Sequence, residues 1–194
     1  SGVGKTTLVQ HLAATGLFTM GLEEHFERPF QQRWARDPMR YGLANQVDYL
    51  LFRAEQERAL RAAPQAALQD GGLDLDFYGF TKLFHARDLL SQDEFVLCQR
   101  LHGTLRAMLG PVDLIIRLTA PLAVIQQRYR QRNRAVEITA SDDLRHLDLL
   151  IDDWLQDANQ TPVLTIDGTA GDLHAAPNIA ALSRTIQRLL DQSA

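Results

Sequence analysis

The chain opens on Ser1-Gly2-Val3-Gly4-Lys5-Thr6-Thr7-Leu8, and its Gly4-Lys5-Thr6 core has the form of the end of a phosphate-binding loop, G-x-x-x-x-G-K-[ST]. The expected first glycine falls before residue 1, so we read the chain as N-terminally truncated, starting inside the loop without the strand that leads into it. Small residues at Ser1, Gly2 and Gly4 let the backbone N–H groups of Gly2, Val3, Gly4 and Thr7 turn toward one anion. Lys5 adds a point charge that reaches the outer phosphates, and Thr6 offers a hydroxyl to Mg²⁺. Leu8, Val9 and Leu12 then follow with Ala13 and Ala14 in a helical pattern, whose positive N-terminal end would face the same phosphates.

A phosphate loop of this kind restricts the fold to alternating strands and helices, and the rest of the chain supplies them. Short apolar runs at Leu17–Leu22, Ala66–Gln69, Asp113–Leu118 and Thr161–Ile166 read as strands. Helices are expected after Pro29, from about Met39 to Arg61, from Phe77 to Leu90, from the Ser91-Gln92-Asp93-Glu94 capping box to about Leu109, after Pro121, after Ser141-Asp142-Asp143, and from Pro177 to Leu190. The alternation predicts an α/β fold of three layers, α/β/α, around a central parallel sheet. Its 194 residues suit one domain spanning 1–194, and no internal repeat divides it.

Composition narrows the partners. Net charge is −4 with a pI near 5.8, which gives no electrostatic footprint for duplex nucleic acid. No apolar run approaches membrane-spanning length. A single cysteine, Cys98, excludes an internal disulfide and a cysteine-built metal site; its apolar neighbours make it a buried, inert thiol. A cytoplasmic, reducing compartment fits best.

Several polar residues fall where chemistry would need them. Glu23 follows the first strand and Asp70 the second, so both carboxylates reach the sheet edge where ligands of open parallel sheets collect. Asp70-Gly71-Gly72 is also a plain turn signal, and Glu23-Glu24 a plain solvated one. Gln46 and Arg53 are seven apart, on one side of a long helix. A carboxamide there can pair with a donor and an acceptor of a nucleobase and a guanidinium can add a fork of donors, although spacing alone favours reading both as ordinary surface polar residues. Arg128, Arg130, Arg132 and Arg134 are concentrated within seven residues and followed by Glu137. Such a segment can close on a transferring phosphoryl group or simply form a solvated basic face.

Together these pieces resemble the deoxynucleoside kinases, the family of deoxycytidine, deoxyadenosine and deoxyguanosine kinases, over nearly the whole chain. The resemblance implies an ATP-dependent, P-loop fold enzyme of nucleotide salvage that phosphorylates the 5′-hydroxyl of a deoxynucleoside. Glu23, before Arg28-Pro29-Phe30, would be the general base, with Lys5 and Arg128 acting on the phosphates. Gln46, Arg53 and Asp76 would read the base, leaning toward a purine or cytosine. Thr6 and Asp70 would hold Mg²⁺, Arg132 and Arg134 would belong to the phosphate-binding lid, and Glu137 would contact the sugar. A homodimer acting on a small-molecule nucleoside, without nucleic acid or membrane, is also implied. Two departures stand out: Gly71-Gly72 replaces the family's Arg-Ser, and Ala35, beside Trp34, replaces a tyrosine common near the sugar. A thymidylate-type nucleoside monophosphate kinase, or a nucleotide-binding protein of weak or no catalysis, remain the alternatives.

Overall fold

The computed structural model describes residues 2–22, 28–131, 143–157 and 161–193. Helix α1 (Lys5–Ala13) leads to strand β1 (Thr19–Gly21), helices α2 (Pro29–Arg36) and α3 (Pro38–Arg61), and strand β2 (Ala67–Gln69). A short α4 (Leu73–Leu75) runs through a π-turn (Asp76–Thr81) into α5 (Lys82–Ala86), then come α6 (Gln92–Leu109), β3 (Ile115–Thr119), α7 (Leu122–Gln131), α8 (Asp143–Asp157), β4 (Val163–Asp167) and α9 (Ala176–Ser193).

Local chemistry sets most of the boundaries. Proline stands at the first turn of α2 and of α3, where its missing N–H costs nothing. Asp37 accepts from Arg40 N at 3.2 Å to cap α3. Ser91 and Glu94 form a reciprocal capping box at α6, which stops at Gly110 with φ 75°. The helix expected over Phe77–Leu90 needs correction. It starts earlier, after Gly72, is interrupted by the π-turn, and ends at Ala86, where Arg87 and the left-handed Asp88 (φ 57°) break the repeat.

Both strand pairs are parallel. Thr19 to Gly21 pair with Ala67 to Gln69, and Ile115 to Thr119 with Val163 to Asp167. The parallel sheet is thus present as two halves, β1–β2 and β3–β4. A cavity of about 580 Å³ is bordered by residues of β2 and β3, with Leu8, Leu12 and Ile186 from one helical layer and Leu73, Leu144 and Leu147 from the other. Lys5 and Asp70 also line it. Leu8, Leu12, Phe18, Ile179 and Ile186 form the core on the α1–α9 side. Leu50, Ala54, Leu73, Phe77 and Cys98 form a second core around α3 and α6. Burial pushes the Cys98 thiol up to about 11, which keeps it protonated and inert at neutral pH.

Candidate active site

The phosphate loop is shaped by two glycines with positive φ, Gly2 at 82° and Gly4 at 101°. A Cβ on Gly2 would lie 3.1 Å from the Ile125 carbonyl oxygen, so α7 packs directly on the loop and requires glycine there. Gly4 is the N-cap of α1 and no side chain among the described residues caps it, so the first-turn N–H groups of the helix can face an anion. Lys5 is the first residue of that helix.

Strand β2 delivers Asp70 beside this loop. Its backbone N–H donates to Gly21 O at 2.8 Å, extending the β1–β2 ladder by one step. Thr6 Oγ1 donates to Asp70 Oδ2. Asp70 is 2% exposed, yet its Oδ1 has no hydrogen-bond partner among the described residues. An orphaned carboxylate oxygen is costly inside a protein, and a hard cation held by that oxygen and the Thr6 hydroxyl would remove the cost. The residues therefore fit Mg²⁺, which characteristically uses one or two carboxylates and completes its shell with water and phosphate oxygens.

The end of β1 lies at the same edge. Gln56 Nε2 donates to Leu22 O at 2.7 Å, holding the last described residue before Glu23 against α3. On the far side of that segment, Arg28 Nη2 donates to Asp48 Oδ1 at 2.7 Å and its guanidinium lies over the Phe52 ring at 4.4 Å. Glu23 itself lies outside the described residues, as do Arg132, Arg134 and Glu137.

The base-reading candidates converge on α3. Gln46, Arg53 and Asp76 are all buried, at 2, 2 and 5% exposure. Arg53 Nε donates to Asp76 Oδ2 at 2.7 Å, and Arg53 Nη1 donates to Asp70 O at 3.0 Å. One guanidinium thus touches both the acid of the π-turn and the main chain of Asp70. Gln46 Oε1 accepts from Thr81 Oγ1 at 2.8 Å.

This geometry also accounts for Gly71. Its φ is 88°, and a Cβ there would stand 3.0 Å from Arg53 Nη2. Any side chain at position 71 would thus begin on a left-handed backbone with its Cβ crowded against the Arg53 guanidinium. The second departure resolves differently: Trp34 is buried and stacked on Phe84 at 5.2 Å, while Ala35 is exposed.

Arg128 spans two loops. Its Nη1 donates to Val3 O at 3.3 Å and its Nη2 to Gly168 O at 3.2 Å. Gly168 follows β4, and a Cβ on it would lie 2.9 Å from Val3 O, so the loop after the last strand abuts the phosphate loop. There His174 stacks on His11 of α1 at 4.8 Å.

Sequence reasoning missed an ionic network beside the base site. Arg106 donates to Glu57 through Nη1 at 2.9 Å and pairs with Asp74 at 2.9 Å, while His102 Nε2 bonds Asp74 at 2.8 Å and Arg61 bonds Glu57 at 2.8 Å. Burial works against the Arg106 charge, but its bonds to Glu57 and Asp74 outweigh that and hold its pKa above the ordinary value. Only Glu57 and Arg61, four apart, left a signal in the sequence. Asp74, two residues before Asp76, is therefore tied to α6 through His102 and Arg106.

Comparisons with known proteins agree in direction. The sequence profile of the family described as deoxynucleoside kinase matches residues 1–189. A deoxyadenosine/deoxycytidine kinase of Bacillus subtilis is 25% identical over 198 residues, covering 100% of this chain and 88% of that protein. A deoxyadenosine kinase of Dictyostelium discoideum is 27% identical over 168 residues, covering 86% of this chain and 68% of that protein. Among solved structures, deoxyadenosine kinase from M. mycoides with bound dCTP superposes with a TM-score of 0.78 at 16% identity, over 96% of this chain and 95% of that one.

Proposed function

The chain belongs to the deoxynucleoside kinase family, and from that premise we propose that its site transfers the γ-phosphoryl group of ATP to the 5′-hydroxyl of a deoxynucleoside whose base is a purine or cytosine. The observation that carries this reading is the Arg53 guanidinium, which joins Asp76 to the backbone of Asp70 and so holds a base-reading group and a phosphate-side group in one frame.

In this reading the N–H groups of Gly2 to Thr7 and the Lys5 ammonium hold the donor phosphates. Glu23 accepts the proton of the 5′-hydroxyl as that oxygen attacks. Arg128, with Arg132 and Arg134, offsets charge on the transferring group, and Glu137 holds the sugar. Thr6 and Asp70 hold Mg²⁺, which when bound neutralises charge shared between the outer phosphates. Gln46, Arg53 and Asp76 fix the base and therefore the direction of the 5′-hydroxyl. Positioning and electrostatics supply most of the acceleration in such a reaction, so a site lacking an arginine at position 71 can still work if Lys5 and Arg128 carry the charge. Gly71, in turn, keeps a Cβ out of the space beside the Arg53 guanidinium that reaches the Asp70 carbonyl.

Names of the relatives support the base preference: two act on deoxyadenosine, and one of these also on deoxycytidine. Self-association as a homodimer is supported by exposed apolar side chains on the packed helices α3 and α6, Leu51 at 40%, Val96 at 39%, Leu97 at 46% and Met108 at 79%. Among the described residues no helix is long and apolar enough to cross a membrane; a cytoplasmic salvage enzyme is the setting we propose.

The test is a panel of deoxynucleosides, ribonucleosides and thymidine monophosphate with ATP and Mg²⁺, scored for product. Formation of deoxynucleoside monophosphates with equimolar ADP is expected. Turnover of the monophosphate alone would make this a monophosphate kinase, and nucleoside binding without product would make it a binding protein.

A further inference from the structure

Thr81 closes the π-turn at 0% exposure, and no role above uses it. Its hydroxyl lies 2.8 Å from Gln46 Oε1 and 3.0 Å from the carbonyl oxygen of Asp76. A hydroxyl has one hydrogen and two acceptor lone pairs, so it can donate to only one of these oxygens at a time.

Each choice fixes a different orientation of the Gln46 carboxamide. When the hydrogen points to Gln46 Oε1, the amide oxygen is held toward Thr81, and Nε2 is the group left to lead toward a ligand. When the hydrogen points to the Asp76 carbonyl, Thr81 Oγ1 becomes an acceptor. Gln46 then satisfies it with Nε2 after a half-turn of the amide, and Oε1 is left to lead instead. Both arrangements are fully hydrogen-bonded at Thr81, so neither leaves a buried hydroxyl unpaired.

The two orientations suit two classes of base. A leading N–H matches a ring nitrogen that accepts, as in adenine and cytosine, while the second lone pair of Oε1 remains for the exocyclic amine. A leading oxygen matches a ring N–H beside a carbonyl, as in hypoxanthine and guanine. We propose that Thr81 is a specificity-determining residue, whose hydroxyl sets the polarity of Gln46 and thereby favours amino-bearing over keto-bearing bases. The contact to Gln46 has the usual length of an O–H···O bond, whereas the carbonyl contact is longer. The structure has the first orientation, with Gln46 Oε1 toward the Thr81 hydroxyl. The second stays within reach, so the preference is graded. This inference rests on the reading that Gln46 faces the base.

The cleanest probes are 2′-deoxyadenosine and 2′-deoxyinosine, which differ only in the polarity of that base edge. The wild-type chain is expected to give the higher kcat/KM with deoxyadenosine. Thr81→Val keeps the shape and removes the hydroxyl, and should shrink the deoxyadenosine-to-deoxyinosine ratio about three- to tenfold, the worth of one net hydrogen bond. Thr81→Ser should keep the ratio. An unchanged KM for ATP reports that each variant is folded, and Thr81→Ala serves if valine is not accommodated. A folded Thr81→Val or Thr81→Ala with the wild-type ratio overturns the proposal, as does a wild-type preference for deoxyinosine. Gln46→Ala separates the two levels: if it abolishes the preference while Thr81→Val does not, base reading by Gln46 stands and the role of Thr81 falls. If neither variant changes the ratio, both fall.

Discussion

Gln46, Arg53 and Asp76 are almost wholly buried and bonded to protein atoms, whereas Lys5, Thr6 and Arg128 are half-buried around a loop bent by two positive-φ glycines. The region proposed to read the base is held by long helices and a buried ion pair, so its geometry is complete without a ligand. The region proposed to handle phosphates holds, among the described residues, an unpartnered Asp70 oxygen, first-turn N–H groups without a side-chain cap and an arginine bonded to two backbone carbonyls. On the proposed reading its charges find their full complement only when phosphates and a cation arrive, and the contrast follows from the two kinds of ligand. A neutral base can be met by a prebuilt surface, but a polyanion must be met by groups whose charge the protein has not already spent on itself.

The largest effect that could break this division is at Lys5. Lys5→Met removes one fixed charge at the transferring phosphates and should lower kcat by about 10²- to 10³-fold. Steady-state kinetics should find the KM for the deoxynucleoside little changed, and an equal change in both would merge the two regions.

A smaller effect sharpens the boundary between them. Gly71→Arg restores the residue that resemblance leads one to expect, but it places a side chain at φ 88° and a Cβ 3.0 Å from Arg53 Nη2. It should cost about 1–3 kcal/mol of stability, read as a lower Tm, and it should slow turnover. A faster enzyme with an unchanged Tm would contradict the steric account.

The smallest concerns the loop after β4. Burial, then the neighbouring His11 and Arg128, depress the pKa of His174 below its ordinary 6.5. A depressed folded-state value means that the unfolded chain binds the proton more readily, so this contribution is present above pH 6.5 and is lost as pH falls through the folded value. Between about pH 7.5 and about pH 5.5, the Tm of wild type should fall slightly more than that of His174→Gln. Parallel curves would remove His174 from that role.

How much of this was legible beforehand differs between the two regions. Whereas Asp70, Gln46, Arg53 and Asp76 were singled out by the resemblance to a family and not by local pattern, Gly4-Lys5-Thr6 could be read from the chain because it depends on residue type at a fixed offset. Pro29, Asp37-Pro38 and the Ser91–Glu94 box marked helix starts for the same reason. The π-turn left no such signal. It arises where Asp76 is held by Arg53 and Gly79 lets α8 approach to within 3.0 Å of where a Cβ would stand, and both are tertiary facts. The Glu57–Arg106–Asp74–His102 network was invisible because its members come from three separate segments. Gly71 read as a deficit in the sequence, and only the position of Arg53 gave it a physical reason. Glu23, Arg132, Arg134 and Glu137 lie outside the described residues and remain expectations of sequence.

The central claim is that Arg53 serves the acceptor base as part of a prebuilt surface, and Arg53→Lys tests it most directly. Lysine keeps the charge but not the fork that reaches Asp76 and the Asp70 carbonyl together. With ATP and deoxyadenosine varied in turn, the KM for deoxyadenosine should rise about tenfold or more, the worth of a hydrogen bond to a charged group, while the KM for ATP stays within about twofold. Equal rises in both constants would contradict the account.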